Sequence, residues 1–230
     1  MPAQMILHYV FDPLCGWCYG AEPLIRAASR HLPVVLHGGG MMAGANRQKV
    51  SAQLRDFVIP HDRRIAEYTG QPFGQDYFEG LLRDPSAVFD SQPPIAAILA
   101  AEQLAGRGLE MLARLQHAHY VEGRRIADDD VLQAVAVELG LALPAFSTAI
   151  AQVDSDSHMR TSRALLASVG GQGYPTLVLE REGQLQVIDI GPFLGKPERF
   201  VQWLEREFQP GRSKTSAAAF CAQDGCDLAQ

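Results

Sequence analysis

The chain has 230 residues, with 20 Lys and Arg against 26 Asp and Glu and a formal net charge of −6. A content of 47% hydrophobic and 20% charged residues is typical of a globular protein and excludes a disordered or fibrous chain. The acidic balance predicts no nucleic-acid partner, because phosphate binding needs a basic face. No apolar run approaches the ~18 residues of a membrane-spanning helix, so we expect no membrane partner. The first basic residue is Arg26, so we expect no secretory signal and a cytoplasmic protein.

The N-terminal segment predicts a strand, a helix and a second strand. Residues 5–11 are apolar and rich in β-forming side chains, which is typical of a buried strand. A helical stretch follows at about 19–31, where Pro23 is expected to kink the helix or to mark its first turn. Residues 34–37 predict a second short strand, which leads into three consecutive glycines.

The middle of the chain is helical in character. Apolar residues recur there at spacings of three and four residues, the period of one helix face. Asp128, Asp129 and Asp130 supply N-cap candidates and favourable charge at the start of one of these helices. The predicted helices span residues 95–104, 109–120, 131–139, 144–153 and 155–169.

The C-terminal part returns to strands. Residues 176–180 and 186–190 predict two strands, and Glu182-Gly183-Gln184 between them predicts a hairpin. A final amphipathic helix is expected at 196–208, with Pro197 at a permitted first-turn position. The element order is therefore β-α-β, a block of helices, and then α-β-β-α, which indicates a small mixed sheet with one long helical insertion.

The motif Cys15-Gly16-Trp17-Cys18 lies between the first predicted strand and the helix that follows it. The first N–H groups of a helix are unpaired and its dipole is positive there, so a thiolate at this place is stabilised. Cys18 follows Cys15 by about one helical turn, which allows it to attack a mixed disulfide at Cys15. The motif therefore predicts a redox-active dithiol, with Cys15 as the exposed nucleophile and Cys18 as the buried resolving thiol.

Other interpretations of this motif stay open. A C-x-x-C pair is half of a zinc site, but zinc prefers four ligands, and Cys221 and Cys226 come about 200 residues later. A structural disulfide is disfavoured in the reducing cytosol. Redox chemistry without a metal is the favoured interpretation. A metal-binding or partner-binding module that uses all four cysteines is the alternative from another class.

A second motif, Gly173-Tyr174-Pro175-Thr176, directly precedes a predicted strand. Proline at the start of a central strand indicates a cis bond or a special site. Together with residues 11–19 around the cysteines and with the helical block, this motif resembles the DsbA-like branch of the thioredoxin-fold thiol–disulfide oxidoreductases. Within that branch the chain is similar to the FrnE-like, or protein disulfide isomerase, subgroup. The resemblance covers residues 5 to about 208.

The resemblance implies an α/β, thioredoxin-like fold, which is a small mixed sheet flanked by helices, with a large all-helical insertion. We expect a discontinuous thioredoxin-like domain at residues 1–42 and 156–208. A helical insertion domain is expected at 43–155, and a flexible C-terminal tail at 209–230.

The resemblance also places roles on this chain. The nucleophile falls on Cys15 and the resolving thiol on Cys18, and a cis-proline that faces them falls on Pro175. Tyr174 is expected to offer backbone hydrogen bonds to an extended substrate. The spacer holds no His, unlike that of secreted DsbA-type enzymes, so we expect a weaker oxidant that acts as a reductase or isomerase. The predicted substrate-binding residues are Gly16, Trp17, Tyr174 and Pro175.

No cofactor is expected beyond the redox-active disulfide, with glutathione as a candidate co-substrate. The expected partners are protein or small-molecule disulfides and thiols, together with a separate redox partner. The alternative activity is that of a glutathione-dependent isomerase or transferase, which DsbA-like scaffolds with helical insertions also resemble. Such enzymes typically keep a single Ser or Cys at the nucleophile position, so an intact Cys18 argues against this alternative.

Secondary candidates lie around the motif and in the tail. Asp12 is a candidate proton relay to Cys18, although an Asp-Pro turn or cap is the favoured interpretation. His37, at the end of a predicted strand, is more often structural than functional in such a place. Cys221 and Cys226 form a C-x₄-C pair that we expect, as a hypothesis, to act as a secondary redox pair.

Overall fold

The structure is a computed structural model that describes residues 5–208. Residues 1–4 and 209–230 lie outside the described residues. The predicted tail and its pair Cys221 and Cys226 therefore fall outside as well. No helix within residues 5–208 combines the length and the hydropathy that crossing a bilayer requires.

Strands and helices follow each other nearly in the predicted order. The strands are β1 (Met5–Phe11), β2 (Val34–Gly38), β3 (Gln48–Lys49), β4 (Val88–Phe89), β5 (Thr176–Arg181) and β6 (Gln184–Ile188). The helices are α1 (Gly16–Ala28), α2 (Ala52–Thr69), α3 (Gln92–Ala105), α4 (Gly108–Tyr120), α5 (Asp129–Glu138), α6 (Leu143–Gln152), α7 (Ser155–Ser168) and α8 (Pro197–Phe208). Short helical turns of other types span Gly44–Asn46, Asp76–Gly80, Leu81–Arg83 and Gly191–Phe193.

The main sheet has four strands in the order β2-β1-β5-β6. β1 pairs in parallel with β2 and antiparallel with β5, so that Tyr9 lies opposite Leu36 on one side and Leu177 on the other. The central position of β1 fits its apolar sequence, because a strand with neighbours on both sides and covered faces buries nearly every side chain. The predicted small mixed sheet is confirmed, and β1 ends directly before the cysteine motif.

The β5–β6 hairpin turns through two residues in the left-handed region. Glu182 has a φ of 52° and Gly183 a φ of 75°, which is the backbone of the tight turns that match the twist of paired strands. The predicted hairpin is therefore present, and its second strand is shifted two residues towards the N-terminus relative to the prediction.

Helix α2 is an element that the sequence analysis did not predict. It runs for 18 residues with Pro60 in its middle, where proline removes a hydrogen bond and usually ends a helix. Its N-terminus is capped by Ser51, whose side chain accepts the N–H of Leu54. Between β2 and β5 the chain also forms the β3–β4 pair, a two-residue antiparallel ladder among the helices.

The first turn of α1 lies against α2 at very short range. A Cβ atom added to Gly20 would lie 3.0 Å from side-chain atoms of Ile65 and Thr69, and one added to Gly16 would lie 2.8 Å from Ile65. Two glycines one helical turn apart therefore let α2 approach the backbone of the cysteine motif. Further along the chain, α3 packs against α4 and α6 around a buried apolar core of Ile98, Met111, Leu112, Leu115 and Phe146.

Candidate active site

The two motif cysteines begin helix α1. Cys15 is the N-cap residue, and its sulfur accepts the backbone N–H of Cys18 at 3.4 Å. Both thiols are free. The position is the one the sequence predicts, because the unpaired N–H groups of a first helical turn point at the capping side chain.

Cys15 is more covered than the sequence predicts. It is 7% exposed, whereas an exposed nucleophile is the expectation, and Cys18 is completely buried. Cys15 lines a cavity that lies between α1, α2 and the loop before β5. Its sulfur is therefore reached through this cavity, and the more deeply placed Cys18 lies behind it.

The surroundings of Cys18 favour its protonated form. The backbone N–H of Asp12 points to the Cys18 sulfur at 3.5 Å, and the Tyr9 hydroxyl donates to the Cys18 carbonyl at 3.1 Å. Burial raises the pKa of the Cys18 thiol well above its ordinary value, and the neighbouring Cys15 raises it further, while the Asp12 N–H bond acts in the opposite direction and is outweighed. A protonated Cys18 beside Cys15 is the arrangement expected of a resolving thiol.

The loop before β5 faces the motif from the opposite side. The peptide bond between Tyr174 and Pro175 is cis, as the sequence predicts. The Tyr174 carbonyl accepts the Cys15 thiol at 3.5 Å. The Tyr174 ring lies against Gly39, where a Cβ atom would come within 2.1 Å of the tyrosine hydroxyl. Two segments that are 159 residues apart in sequence therefore meet at the Cys15 sulfur.

Asp12 anchors the turn between β1 and α1. Its buried carboxylate accepts hydrogen bonds from the Leu14 N–H at 2.9 Å, the Ser91 hydroxyl at 2.8 Å and the Met41 N–H at 2.5 Å. Burial outweighs these bonds and raises the pKa of Asp12 to about 6. The residue contacts Cys18 through its backbone N–H, so its geometry is that of the turn and anchor, the interpretation favoured from the sequence.

His37 lies on the sheet and outside the cavity lining. Its Nε2 is 2.9 Å from Nδ1 of His8, whose Nε2 lies 2.8 Å from a carboxylate oxygen of Glu180. Burial lowers the pKa of His37 to about 4. These contacts connect β1, β2 and β5 side by side, which is a structural arrangement.

The cavity beside Cys15 has a volume of about 710 Å³, which is the size of a small-molecule or peptide site. Its rim is apolar and accessible: Phe57 is 64% exposed, and Trp17 packs edge-on against Tyr68 with ring centroids 6.3 Å apart. Its lining includes Cys15, Gly16, Trp17, Met41, Phe57, Asp62, Tyr77, Tyr120 and Tyr174.

Asp62 is a site residue that the sequence analysis missed. It is 5% exposed, and its Oδ2 accepts the Tyr77 hydroxyl at 2.7 Å. Burial raises the pKa of Asp62 to about 6. A signal was present, because Leu54, Val58 and Ile65 share one helical stripe with Asp62. An acidic residue on an apolar stripe identifies a buried carboxylate once the helix itself is recognised.

The described residues offer little to a metal ion. Within residues 5–208, no group of three or more His, Cys, Asp and Glu side chains has the geometry of a metal site. Cys15 and Cys18 thus have no further ligand within that part of the chain, and zinc prefers four.

Comparison with known proteins agrees with this geometry. Residues 6–191 match the family model of the DSBA-like thioredoxin domain. The chain is 55% identical to the cytosolic disulfide reductase DsbM from Pseudomonas aeruginosa, with a TM-score of 0.82 over 88% of this chain and 98% of that one. The same protein with GSH gives 54% identity and a TM-score of 0.81 over the same shares. No curated protein matches.

Two more distant structures complete the comparison. A protein from Nitrosomonas europaea, described as a candidate protein disulfide isomerase, is 25% identical, with a TM-score of 0.72 over 88% of this chain and 97% of that one. A 2-hydroxychromene-2-carboxylate isomerase is 16% identical, with a TM-score of 0.55 over the same shares, and shares the fold alone. With its dithiol at a helix start and its match over most of the described residues, the chain belongs to the DSBA-like thioredoxin domain family and is a thiol–disulfide oxidoreductase.

Proposed function

We propose that the chain is a cytoplasmic disulfide reductase, with Cys15 as its nucleophile and Cys18 as its resolving thiol. The observation that carries the proposal is the arrangement of the two sulfurs. Cys15 caps helix α1 and lines the cavity, while Cys18 is buried behind it and donates its N–H to the Cys15 sulfur. One sulfur is thus accessible to a substrate, and the other is accessible only to its neighbour.

The reaction follows from this arrangement in two exchanges. The Cys15 thiolate attacks one sulfur of the substrate disulfide, the substrate S–S bond breaks, and the leaving thiolate takes up a proton. Cys18 then loses its proton and attacks the Cys15 sulfur of the mixed disulfide. The second substrate thiol leaves and the Cys15–Cys18 disulfide closes. Two electrons pass from the protein to the substrate, which is released as two thiols.

Similarity to solved structures supports two parts of the proposal: that the protein reduces its substrate disulfide, and that glutathione regenerates the dithiol. The chain is 55% identical to a cytosolic disulfide reductase, and the structure of that protein with GSH is 54% identical to this chain. We infer that two glutathione molecules regenerate the dithiol, the first by forming a mixed disulfide at Cys15 and the second by releasing glutathione disulfide. The spacer Gly16-Trp17 holds no His, which agrees with a reductant rather than a strong oxidant.

The cavity provides a surface for the substrate. We infer that Gly16 and Trp17 contact the substrate from the motif side, and that Tyr174 and Pro175 contact it from the loop before β5. The Tyr174 carbonyl, 3.5 Å from the Cys15 sulfur, is placed to accept an N–H from an extended segment that carries the reacting disulfide. Trp17 adds an apolar contact beside the sulfur.

The test replaces Cys15 and Cys18 one at a time. Both variants are made in a Cys221→Ser/Cys226→Ser background, which removes the two thiols of the tail. Glutathione-dependent reduction of insulin and of hydroxyethyl disulfide is measured. Cys15→Ser is expected to lower the rate by more than about a thousandfold, because nothing else supplies the nucleophile. Cys18→Ser is expected to accumulate a mixed disulfide, seen by intact mass as one glutathione per chain.

Retained reductase activity in Cys15→Ser would contradict the proposal. Glutathione-dependent isomerisation of an aromatic substrate that survives Cys18→Ser would favour the alternative activity. The background itself is informative: if the Cys221→Ser/Cys226→Ser protein turns over insulin at the wild-type rate, the secondary redox pair hypothesis for the tail is wrong.

A further inference from the structure

Asp62 stands out among the groups that line the cavity because its charge lacks a partner. Among the described residues, its only side-chain hydrogen bond comes from Tyr77, and that bond engages Oδ2. No basic side chain within residues 5–208 forms an ion pair with it. Two basic side chains line the cavity: Arg47 is paired with Asp90 at 3.3 Å, and His61 acts on the Asp62 charge through space without a hydrogen bond or an ion pair to it.

The remaining oxygen of Asp62 faces the reactive motif. A Cβ atom on Gly16 would lie 2.6 Å from Asp62 Oδ1, so this oxygen lies directly above the backbone of the residue that follows Cys15. Tyr77 holds the carboxylate in this orientation through Oδ2. The free oxygen therefore borders the same cavity as the sulfur that attacks the substrate.

A buried carboxylate without a cation is costly, and a substrate can remove that cost. Placing an unpaired charge out of water is unfavourable unless hydrogen bonds or an opposite charge compensate it. A ligand that brings an ammonium group to Oδ1 supplies a hydrogen bond and an opposite charge together. Charge-assisted hydrogen bonds of this kind are stronger than neutral ones. A ligand that brings a carboxylate to the same place is repelled.

We propose that Asp62 is a specificity-determining residue that recognises a primary ammonium group next to the reacting disulfide, so that aminated disulfides react with Cys15 faster than neutral or anionic ones of the same size. The proposal rests on the proposed function, since it takes Cys15 as the attacking sulfur. It names the substrate class as small or peptidyl disulfides with an amine close to the S–S bond.

The experiment compares three small disulfides that differ in charge: cystamine, hydroxyethyl disulfide and dithiodipropionate. Pre-reduced protein in the Cys221→Ser/Cys226→Ser background is mixed with each disulfide. The rate of Cys15–Cys18 oxidation is followed by rapid alkylation and intact mass, without glutathione, whose own amine would interfere. The three leaving thiols differ in reactivity, so each variant is judged by the ratio of its rate constants for cystamine and hydroxyethyl disulfide.

Asp62→Asn keeps the shape and the Tyr77 hydrogen bond but removes the charge. It is expected to lower the cystamine to hydroxyethyl disulfide ratio by about tenfold, in line with the loss of one charge-assisted hydrogen bond. The rate with dithiodipropionate is expected to rise. Asp56→Asn, a charge removal on the exposed side of α2, is the matched control and is expected to leave all ratios unchanged.

Two outcomes would overturn the proposal: an unchanged ratio in Asp62→Asn, including an equal fall with all three disulfides, or the same change of ratio in Asp56→Asn. An equal fall would identify Asp62 as a proton-transfer or structural group. Asp62→Ser is measured in parallel, so that the loss of charge is tested in two variants. Thermal unfolding checks that each variant is folded. If wild-type protein reacts with none of the three disulfides, the proposed function fails instead, and the two failures are thus distinguished.

Discussion

Gly16 is the residue on which the approach of α2 to the cysteine motif depends. A Cβ atom there would lie 2.6 Å from Asp62 Oδ1 and 2.8 Å from Ile65 Cδ1, both shorter than real carbon contacts. The absence of a side chain at position 16 lets the cavity close over Cys15. A larger residue in the spacer would need the Asp62 and Ile65 side chains to shift.

Gly16→Ala is therefore expected to destabilise the protein by about 1–3 kcal/mol, the usual cost of overpacking. It is also expected to raise the exposure and the alkylation rate of Cys15, since the Asp62 and Ile65 side chains that cover the motif must shift. Chemical denaturation and timed alkylation measure the two effects. Gly80→Ala is the control, because no atom lies within 4 Å of a Cβ at that position; equal effects of the two substitutions would contradict the packing argument.

At the scale of elements, the N-termini of α5 and α7 show how far an acidic residue in the sequence predicts a helix cap. Asp128 and Asp154 both occupy N-cap positions, as acidic residues before a predicted helix should. Only the Asp154 side chain accepts a cap hydrogen bond, from the Ser157 N–H at 2.8 Å. The sequence predicts Asp128 as an N-cap candidate, and no such prediction was made for Asp154. Whether the capping hydrogen bond forms depends on the path by which the chain enters the helix.

Asp154→Ala is expected to lower the free energy of unfolding by about 1 kcal/mol, the typical value of a capping side chain. Asp128→Ala removes the same charge from a helix start without breaking a cap bond, so it is expected to cost about half as much or less. Urea denaturation of both variants at neutral pH measures the difference. A larger loss in Asp128→Ala than in Asp154→Ala would contradict this interpretation.

Most of the elements were predictable because each depends on short-range patterns. β1, the α3–α7 helices and the β5–β6 hairpin carry apolar periods and turn residues within their own segments. α2 was not predicted, and Pro60 in its middle is a residue that usually ends a helix. It forms nonetheless, since its Leu54–Ile65 stripe packs onto the motif helix, and that contact is a tertiary one.

At the scale of the whole molecule, buried histidine couples folding to pH. His119 is 2% exposed and lies among the rings of Tyr77, Phe89 and Tyr120. Burial lowers its pKa to about 3, whereas a histidine in an unfolded chain titrates near 6.5. Between about pH 3 and 6.5 the unfolded state therefore binds the additional proton, and stability falls as the pH falls through this window.

His119→Gln is expected to flatten this dependence. The slope of the unfolding free energy between pH 6.5 and 4 should decrease relative to wild type by up to about 1.4 kcal/mol per pH unit, the limit for one proton. Asp12 and Asp62, with pKa values raised to about 6, act in the opposite direction but are present in both proteins. Urea titrations at several pH values measure the slope, and an identical slope in the variant would contradict the assignment.

The sequence by itself determined the redox pair, the cis-proline segment and the mixed sheet. Cys15 and Cys18 are three residues apart, and Pro175 is next to a strand, so covalent proximity and local conformation suffice to predict them. The same holds for the helix dipole at Cys15, which any helix that starts there provides.

Only the tertiary structure decided what covers the sulfurs from the side of α2. Asp62 is 46 residues from Gly16, and no sequence pattern placed it at the motif, whereas the position of Tyr174, 159 residues from Cys15, was expected from the family resemblance. The cover over Cys15 and the unpaired carboxylate arise from the packing of α2 onto two glycines of α1. Packing of this kind depends on shape complementarity between distant segments, for which no local period or composition carries a signal.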